Sequence, residues 1–459
     1  MRDTKKYEEI ADRLLDDICQ GSYLNGKLPS MSAIAKQFKV NLQTANRAVK
    51  LLEQQGVVRC HPGKTGTLID QPRAAIVAQC SSPGRRSPQL LDQVFGWKYR
   101  IRLRFLHPYQ NPVLHNLFQS CAEAFTQRYP WVEVEPVAVD NANRILSGEQ
   151  PFDTALVIGR DLDLMNRRGM LCPVTDFVRR DPAFRQEDFC AGVWSLCSRG
   201  REITGIPFDW SVPLLCADKP CSTWEGLSEG IHPGKTGVLS LGLYSLIMLF
   251  IGRLSTDDDL QEKRPGLRRL VRVLKKLCSE QDGYSFWDSQ TALNLFHPDR
   301  NTFLCGYYSS INRVRNKAAG WQYHPLPEIP GTPIIATECL AVGSSTRSLP
   351  EALLWMKFLT RTEIQRKFMS EPSFLPVRKE LIDRFPDEFA GLLRRAGENA
   401  LQPEMSSPAL FRFYSSVYPL LKHYFDGDLP EEQLLSEVLE MLGENLLLDT
   451  LNEPLGSIS

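Results

Sequence analysis

The sequence predicts a multi-domain protein: a small, mainly α N-terminal unit with a β-hairpin, a linker, and a long α/β body. Three observations carry this. The chain has 459 residues, more than one hydrophobic core normally organises, so two or more folded units follow. Residues 1 to about 70 repeat apolar side chains at helical spacing and then give two short β-prone runs, whereas from Tyr99 strand and helix patterns alternate. Between them, residues 71–98 are rich in turn formers and charge without sustained periodicity, as in a linker.

Composition narrows the class. The chain is 42% hydrophobic and 24% charged, with 54 Lys+Arg against 54 Asp+Glu. Wholesale disorder and a generally basic, polyanion-coating protein are both excluded. The N-terminus has no signal-peptide core, and the longest apolar stretch, 238–251, is shorter than the ~20 residues that span a bilayer. A cytoplasmic protein without membrane association is expected. Its 12 cysteines form no CxxC pair, which predicts reduced thiols rather than a disulfide framework or zinc site.

In the N-terminal unit, Tyr7, Ile10, Ala11, Leu14, Leu15 and Ile18 make one apolar helix face ending near Gly21. A second helix follows Pro29, with Ser30 as N-cap and Ile34, Ala35 and Phe38 inward. Asn41 caps a third, whose Ala45, Ala48, Val49 and Leu52 face the core and which stops at Gly56. Residues 57–60 and 67–69 read as a hairpin around HPGKTG, and 74–78 as a short strand continuing from it.

Three helices and a hairpin make a winged helix-turn-helix. Its third helix has to hide one face and offer polar groups to base edges on the other. Gln43, Asn46, Arg47 and Lys50 lie opposite the apolar face, with Thr44 beside them. Between Lys27 and Lys64 stand seven basic residues and one acid, Glu53. In a neutral chain that is a local patch for a polyanion.

LPSMSAIAKQFKVNLQTANRAVKLLEQQGVV, at 28–58, and the following GKTGT resemble the DNA-binding domain of GntR-type bacterial transcription regulators over about 65 residues. The resemblance implies an operator-binding face of Ser30, Asn41, Gln43, Thr44, Asn46, Arg47 and Lys50, with Lys64 and Thr65 in the wing. The sequence departs from the family where Met31-Ser32 replaces Glu-Arg, Ala33 replaces a capping Glu, and Leu42 replaces a frequent Arg. Two arginines that usually touch DNA are missing, so the family's usual operator does not carry over.

The body opens with a strand on Ile101, Leu103 and Phe105, a helix over 113–129 on Val113, Leu117, Cys121, Ala124 and Phe125, a strand over 131–139 and a buried strand over 154–158. The segment 430–451 reads as a final amphipathic helix. AEAFTQRYPWVEVEPV (122–137), GREITGIPFDWSVPLLCADKP (200–220) and WQYHPLPEIPGT (321–332) are among ordered segments that resemble an extracellular solute-binding protein of the maltose-binding type over about 350 residues. This implies a two-lobed, periplasmic-binding-protein-like (type 2) α/β fold with a sugar in its cleft, and domains at 1–70 and 99–459.

Polyols are held by aromatic faces against C–H groups and by polar or charged side chains on the hydroxyls. Candidates are His107 and Tyr109 after the first strand, Asp153 before the buried one, Asp209 and Trp210 with Phe208 where the chain crosses between lobes, and Tyr307 with Tyr308. Trp287 and Glu338 are weaker ones. The strand alternation sends Asp209 and Trp210 to opposite faces unless the strand twists or ends there.

HPGKTG occurs at 61–66 and 232–237, but Gly230 leaves three residues before GlyLysThr where a phosphate loop needs four. Five of seven histidines precede proline, at 61, 107, 232, 297 and 324, and read as loop residues rather than metal ligands. No GxSxG, HExxH or Cys/His dyad is visible, and no catalytic residue, metal or cofactor is expected.

The combined expectation is a ligand-responsive regulator that binds a double-stranded operator as a homodimer and senses a sugar or oligosaccharide. Two alternatives share the same DNA-binding domain. One is a pyridoxal-phosphate aminotransferase-like body, whose Ser-x-x-Lys cluster is not found; the other is a LacI-type sensor, which needs fewer residues than the ~360 left here.

Overall fold

The computed structural model describes residues 6–451 apart from 21, 24, 62–65, 71–72, 75–76, 79–100, 110, 141–142, 200–201, 232–234, 253–257, 279–292, 295, 315–316, 318–319, 329–335 and 399–404. In the N-terminal unit, α1 (Lys6–Cys19) buries Ile10, Ala11, Leu14, Leu15 and Ile18, the stripe its spacing predicts. Ser30 and Asn41 cap α2 (Met31–Gln37) and α3 (Leu42–Gln54), accepting the Ala33 and Thr44 N–H groups at 3.3 and 2.8 Å. Gly56, at φ +75, turns the chain into β1 (Val58–His61), which pairs antiparallel with β2 (Gly66–Ile69). This is the winged helix-turn-helix. The strand expected over 74–78 is not formed: residues 73, 74, 77 and 78 are helical. Asp70 accepts the Arg73 N–H, and Ala74 and Val77 bury themselves in the domain core.

Among the described residues the body holds two sheets of more than two strands. The first has the order β4-β3-β5-β13-β8, made of β3 (Ile101–His107), β4 (Val132–Ala138), β5 (Thr154–Ile158), β8 (Gly205–Ser211) and β13 (Ala336–Val342). β3 runs parallel to β4 and β5, while β13 lies antiparallel between β5 and β8. The second has the order β10-β11-β9-β12, made of β9 (Pro213–Ala217), β10 (Thr236–Ser240), β11 (Asn301–Tyr307) and β12 (Gln322–His324). The two-residue strands β6 (Ser198–Arg199) and β7 (Glu202–Ile203) form a separate hairpin.

Chain crossings define two lobes. β8 ends at Ser211 and β9 begins at Pro213, so the chain passes from one sheet to the other over Val212. It returns between β12 and β13, and crosses again after Ala396, which packs in the first core, to Met405, which packs in the second. Helices α4 (Pro112–Arg128), α5 (Thr175–Arg180) and α8 (Leu349–Leu359) belong to the first lobe. The second is covered by α6 (Leu243–Ile251), α7 (Arg264–Cys278), α9 (Ser407–Asp426) and α10 (Glu431–Leu451). The apolar run 238–251 is thus a buried strand followed by a buried helix. Among the described residues no helix is long and apolar enough to cross a membrane. In α4 the buried face is Leu114, Phe118, Cys121, Ala122 and Phe125, one residue on from the expected start, and Val113 is exposed.

Candidate functional site

On the N-terminal domain, Gln43, Asn46, Arg47 and Lys50 are exposed along α3, Thr44 is half-buried, and Ala45, Ala48, Val49 and Leu52 are buried behind them. Lys27, Lys36, Lys39 and Arg59 are exposed on the same small domain. The acid of the patch, Glu53, is spent on the wing, where it accepts the Cys60 N–H at 2.9 Å. Ser30 and Asn41 use their side chains as caps, so they place the two helices of the motif. Lys64 and Thr65 lie outside the described residues. Leu42, at the head of α3, is 57% exposed, an apolar group among the residues that a major groove would meet.

In the body, Arg160 just past the carboxyl end of β5 lies near Tyr307 at the carboxyl end of β11, so strand ends of the two sheets meet at the lobe junction, where open α/β folds bind ligands. Just beyond β5, Asp161 is buried and accepts the Ser407 backbone N–H at 2.6 Å and its hydroxyl at 2.7 Å. This ties the start of α9 to the first lobe. Its neighbour Arg160 donates from Nε to Ser407 Oγ at 3.0 Å and lies near Tyr307 and Tyr414, whose phenols feel its charge. Tyr307, closing β11, shares a hydrogen bond of 3.0 Å with Ser245 on α6. Tyr414 Oη accepts the Tyr244 N–H at 3.3 Å, and its ring stacks on Tyr418 with centroids 5.3 Å apart. Burial pushes the Tyr414 phenol up to about 12 and Tyr307 upward too, so both are neutral hydroxyls. Phe411, one turn before Tyr414, is 56% exposed.

Two carboxyls complete this region. Glu338 is paired with Ile158 on one side and Asp209 on the other. Its Oε2 is buried without a hydrogen-bond partner, and burial raises the acid to about 8. Asp209 is raised to about 8 by burial, against the Leu375 and Trp210 amides and the Arg313 charge, and its Oδ1 accepts the Leu375 N–H at 3.1 Å. Arg160, Tyr307 and Tyr414 thus gather from three segments far apart in sequence, with Glu338 one strand pairing away.

Several other expected ligand residues are engaged in packing or hydrogen bonds within the protein. Trp210 is 1% exposed and donates from Nε1 to the Pro376 carbonyl at 2.9 Å, so strand alternation prevails and its ring is core, with no face for a sugar. Tyr308 is buried against Tyr323 and Phe389. Tyr109 is half-buried and stacks on Phe118. Asp153 stands at the start of β5, the end away from the hinge, and accepts from the Arg104 N–H at 2.9 Å and the Thr346 hydroxyl at 2.5 Å. His107 is fully buried at the end of β3 rather than in a loop, 3.2 Å from His115, and burial with His115 lowers it to about 4. Trp287 lies outside the described residues. Sequence reasoning missed Arg160, Ser245 and Tyr414. The first had a signal, its place just past a buried strand; Phe411, Tyr414 and Tyr418 also share one helix face by spacing.

Comparison with known proteins agrees with both halves. Residues 6–69 match the bacterial regulatory proteins of the gntR family, and residues 121–391 match bacterial extracellular solute-binding protein. No curated protein matches the chain. Among solved structures, a cyclo/maltodextrin-binding protein complexed with maltotetraose is similar with a TM-score of 0.61 at 18% identity, over 77% of this chain and 98% of that one. The sugar-binding protein MalE from the phytopathogen Xanthomonas citri gives 0.60 at 15%, over 76% and 98%. An ABC transporter solute-binding protein from Agrobacterium vitis S4 with bound D-mannitol gives 0.59 at 14%, over 76% and 99%. At such identities the likeness is one of fold.

Proposed function

We propose that this chain, which belongs to the bacterial extracellular solute-binding protein family and carries a gntR-family DNA-binding domain at its N-terminus, is a cytoplasmic transcription regulator whose body senses a carbohydrate. The observation that carries the reading is the convergence of Arg160, Tyr307 and Tyr414 at the lobe junction of a chain that also exposes Gln43, Asn46, Arg47 and Lys50 on a recognition helix. Neutral phenols and a guanidinium suit vicinal hydroxyls, and Phe411 offers a ring face to their C–H side. The neighbours' sugar ligands support the same class.

A winged helix reads one half-site, and two copies read a palindrome, so a homodimer is the functional unit. Sugar-driven lobe closure then alters how the two recognition helices are presented. A thermal-shift screen of mono- and oligosaccharides tests the sensor: a ligand at 100 times its dissociation constant adds about 2.7 kcal/mol. Tyr414→Ala should abolish that shift while operator affinity of the free protein stays unchanged. A variant that answers the sugar at wild-type concentrations moves the site elsewhere.

A further inference from the structure

The N-terminal domain is joined to the body by more than its linker. No described residue beyond Ala78 enters its apolar core cluster, and the contacts that cross to the body include two ion pairs. Arg73 reaches both ways. Its Nε donates to the Gln55 carbonyl at 3.0 Å, at the end of the recognition helix. Its Nη1 donates to Glu351 and its Nη2 to the Arg347 carbonyl at 3.5 Å. The Arg73 side chain is 10% exposed and that of Glu351 is 0%. A second bridge joins Glu8 of α1 to Arg180 of α5 at 2.5 Å, with the Glu8 side chain 8% exposed. Beside the first bridge lies a polar cleft of about 540 Å³ lined by Arg59, Arg73 and Arg347 among others.

Both bridges end on the first lobe. Arg347 and Glu351 lie just past β13, the strand that carries Glu338 as its third residue, and Arg180 closes α5 of the same lobe. The recognition residues remain exposed with the domain so placed.

We propose that the DNA-binding domain rides on the first lobe as one rigid unit, pinned by Arg73 on Glu351 and by Arg180 on Glu8, so that the second lobe alone moves relative to the DNA. Breaking one member of a buried ion pair strands the other, whereas losing both to apolar groups is tolerated, so Arg73 and Glu351 are paired to be kept or lost together. The role given to the second lobe rests on the sugar-sensor reading; the pinning does not.

The test uses the full chain with Cys80→Ser and Cys278→Ser. A dye is attached at Cys60, the exposed one among the described cysteines. Time-resolved anisotropy should show the dye tumbling with the whole protein. In Arg73→Leu/Glu351→Leu/Arg180→Ala, a fast component from an independently tumbling domain should appear, with body tryptophan fluorescence unchanged. A fast component in the unmodified chain overturns the proposal, and so does its absence from a folded variant. Should the triple variant not fold, Glu8→Gln, which keeps the side chain's size and removes its charge, should give a smaller fast amplitude, and none would count against the pin.

With maltotetraose as probe, energy transfer from Cys60 should change to a second dye at Lys422→Cys on the second lobe and stay constant to one at Glu187→Cys on the first. A change at Glu187 defeats the rigid unit. Absence of any thermal shift with the sugar panel defeats the sensor reading while leaving the anisotropy result standing.

Discussion

Glu338 and Asp209 show how one residue's surroundings set its chemistry. Both acids sit where β13 and β8 pair at the hinge, and burial raises each from the ordinary 4.5 and 3.8 to about 8. An acid whose folded pKa exceeds its unfolded one binds its proton more tightly when folded. That stabilising contribution is complete below the unfolded carboxylate range and is lost as pH rises through about 8. Urea midpoints should therefore fall as pH rises from about 5 to about 8 and level off above it, and Glu338→Gln should lessen the fall; an unchanged slope in that variant would show the acid to be hydrated. Trp210 tells the complementary story. Trp210→Ala removes a ring that is 1% exposed and leaves the Pro376 carbonyl without its donor, so a loss of about 3–5 kcal/mol in stability is expected. At temperatures where the variant is folded, its sugar affinity should match that of the wild type, as calorimetric titration would show.

Elements whose signals are local were legible in the sequence. Caps at Ser30 and Asn41, the stop at Gly56 and the apolar stripe of α1 all depend on neighbours within a turn or two, and the structure has them where the spacing puts them. Asn41→Ala removes one such signal, at a cost of about 1 kcal/mol, and should speed hydrogen exchange of the first-turn amides of α3 in the full chain; unchanged protection would mean packing alone holds that turn. Residues 74–78 read as a strand because the run Ala74-Ala75-Ile76-Val77-Ala78 is β-prone, whereas the Asp70 cap and the burial of Ala74 and Val77 make the described part helical. In α4, Cys121 and Phe125 are buried as the spacing predicts, whereas Leu114 and Phe118 take the places expected of Val113 and Leu117 because Pro112 and the Asn111 cap set the helix start. The cleft was the least legible part. Arg160, Tyr307 and Tyr414 lie more than a hundred residues apart, and only the crossings of the chain between two sheets bring them together. Sequence periodicity assigned each aromatic a side of its own element and nothing about which elements meet.

At the scale of the molecule, the attachment of the DNA-binding domain to one lobe constrains how any signal can reach the operator. Within a single copy, Arg73 and Glu8 hold the domain to the first lobe, and the recognition face is open. On the proposed reading, closure of the second lobe would leave that face and its orientation on the first lobe as they were. One copy on one half-site should therefore bind DNA equally well with and without sugar. A response has to arise where two copies are held at a fixed distance, because there a moving second lobe can meet the neighbouring copy and shift the spacing of the two recognition helices. Linkage makes the coupling reciprocal: if sugar changes operator affinity by some factor, operator changes sugar affinity by the same factor. Titrating sugar into the protein bound to a duplex with one half-site should thus give the dissociation constant of the free protein. A duplex with two half-sites one helical turn apart should give a different one, the direction telling whether the sugar strengthens or weakens operator binding. Equal constants on both duplexes, from a protein whose DNA binding does respond to the sugar, would require the signal to pass within one chain and would place it in the Arg73–Glu351 clasp itself.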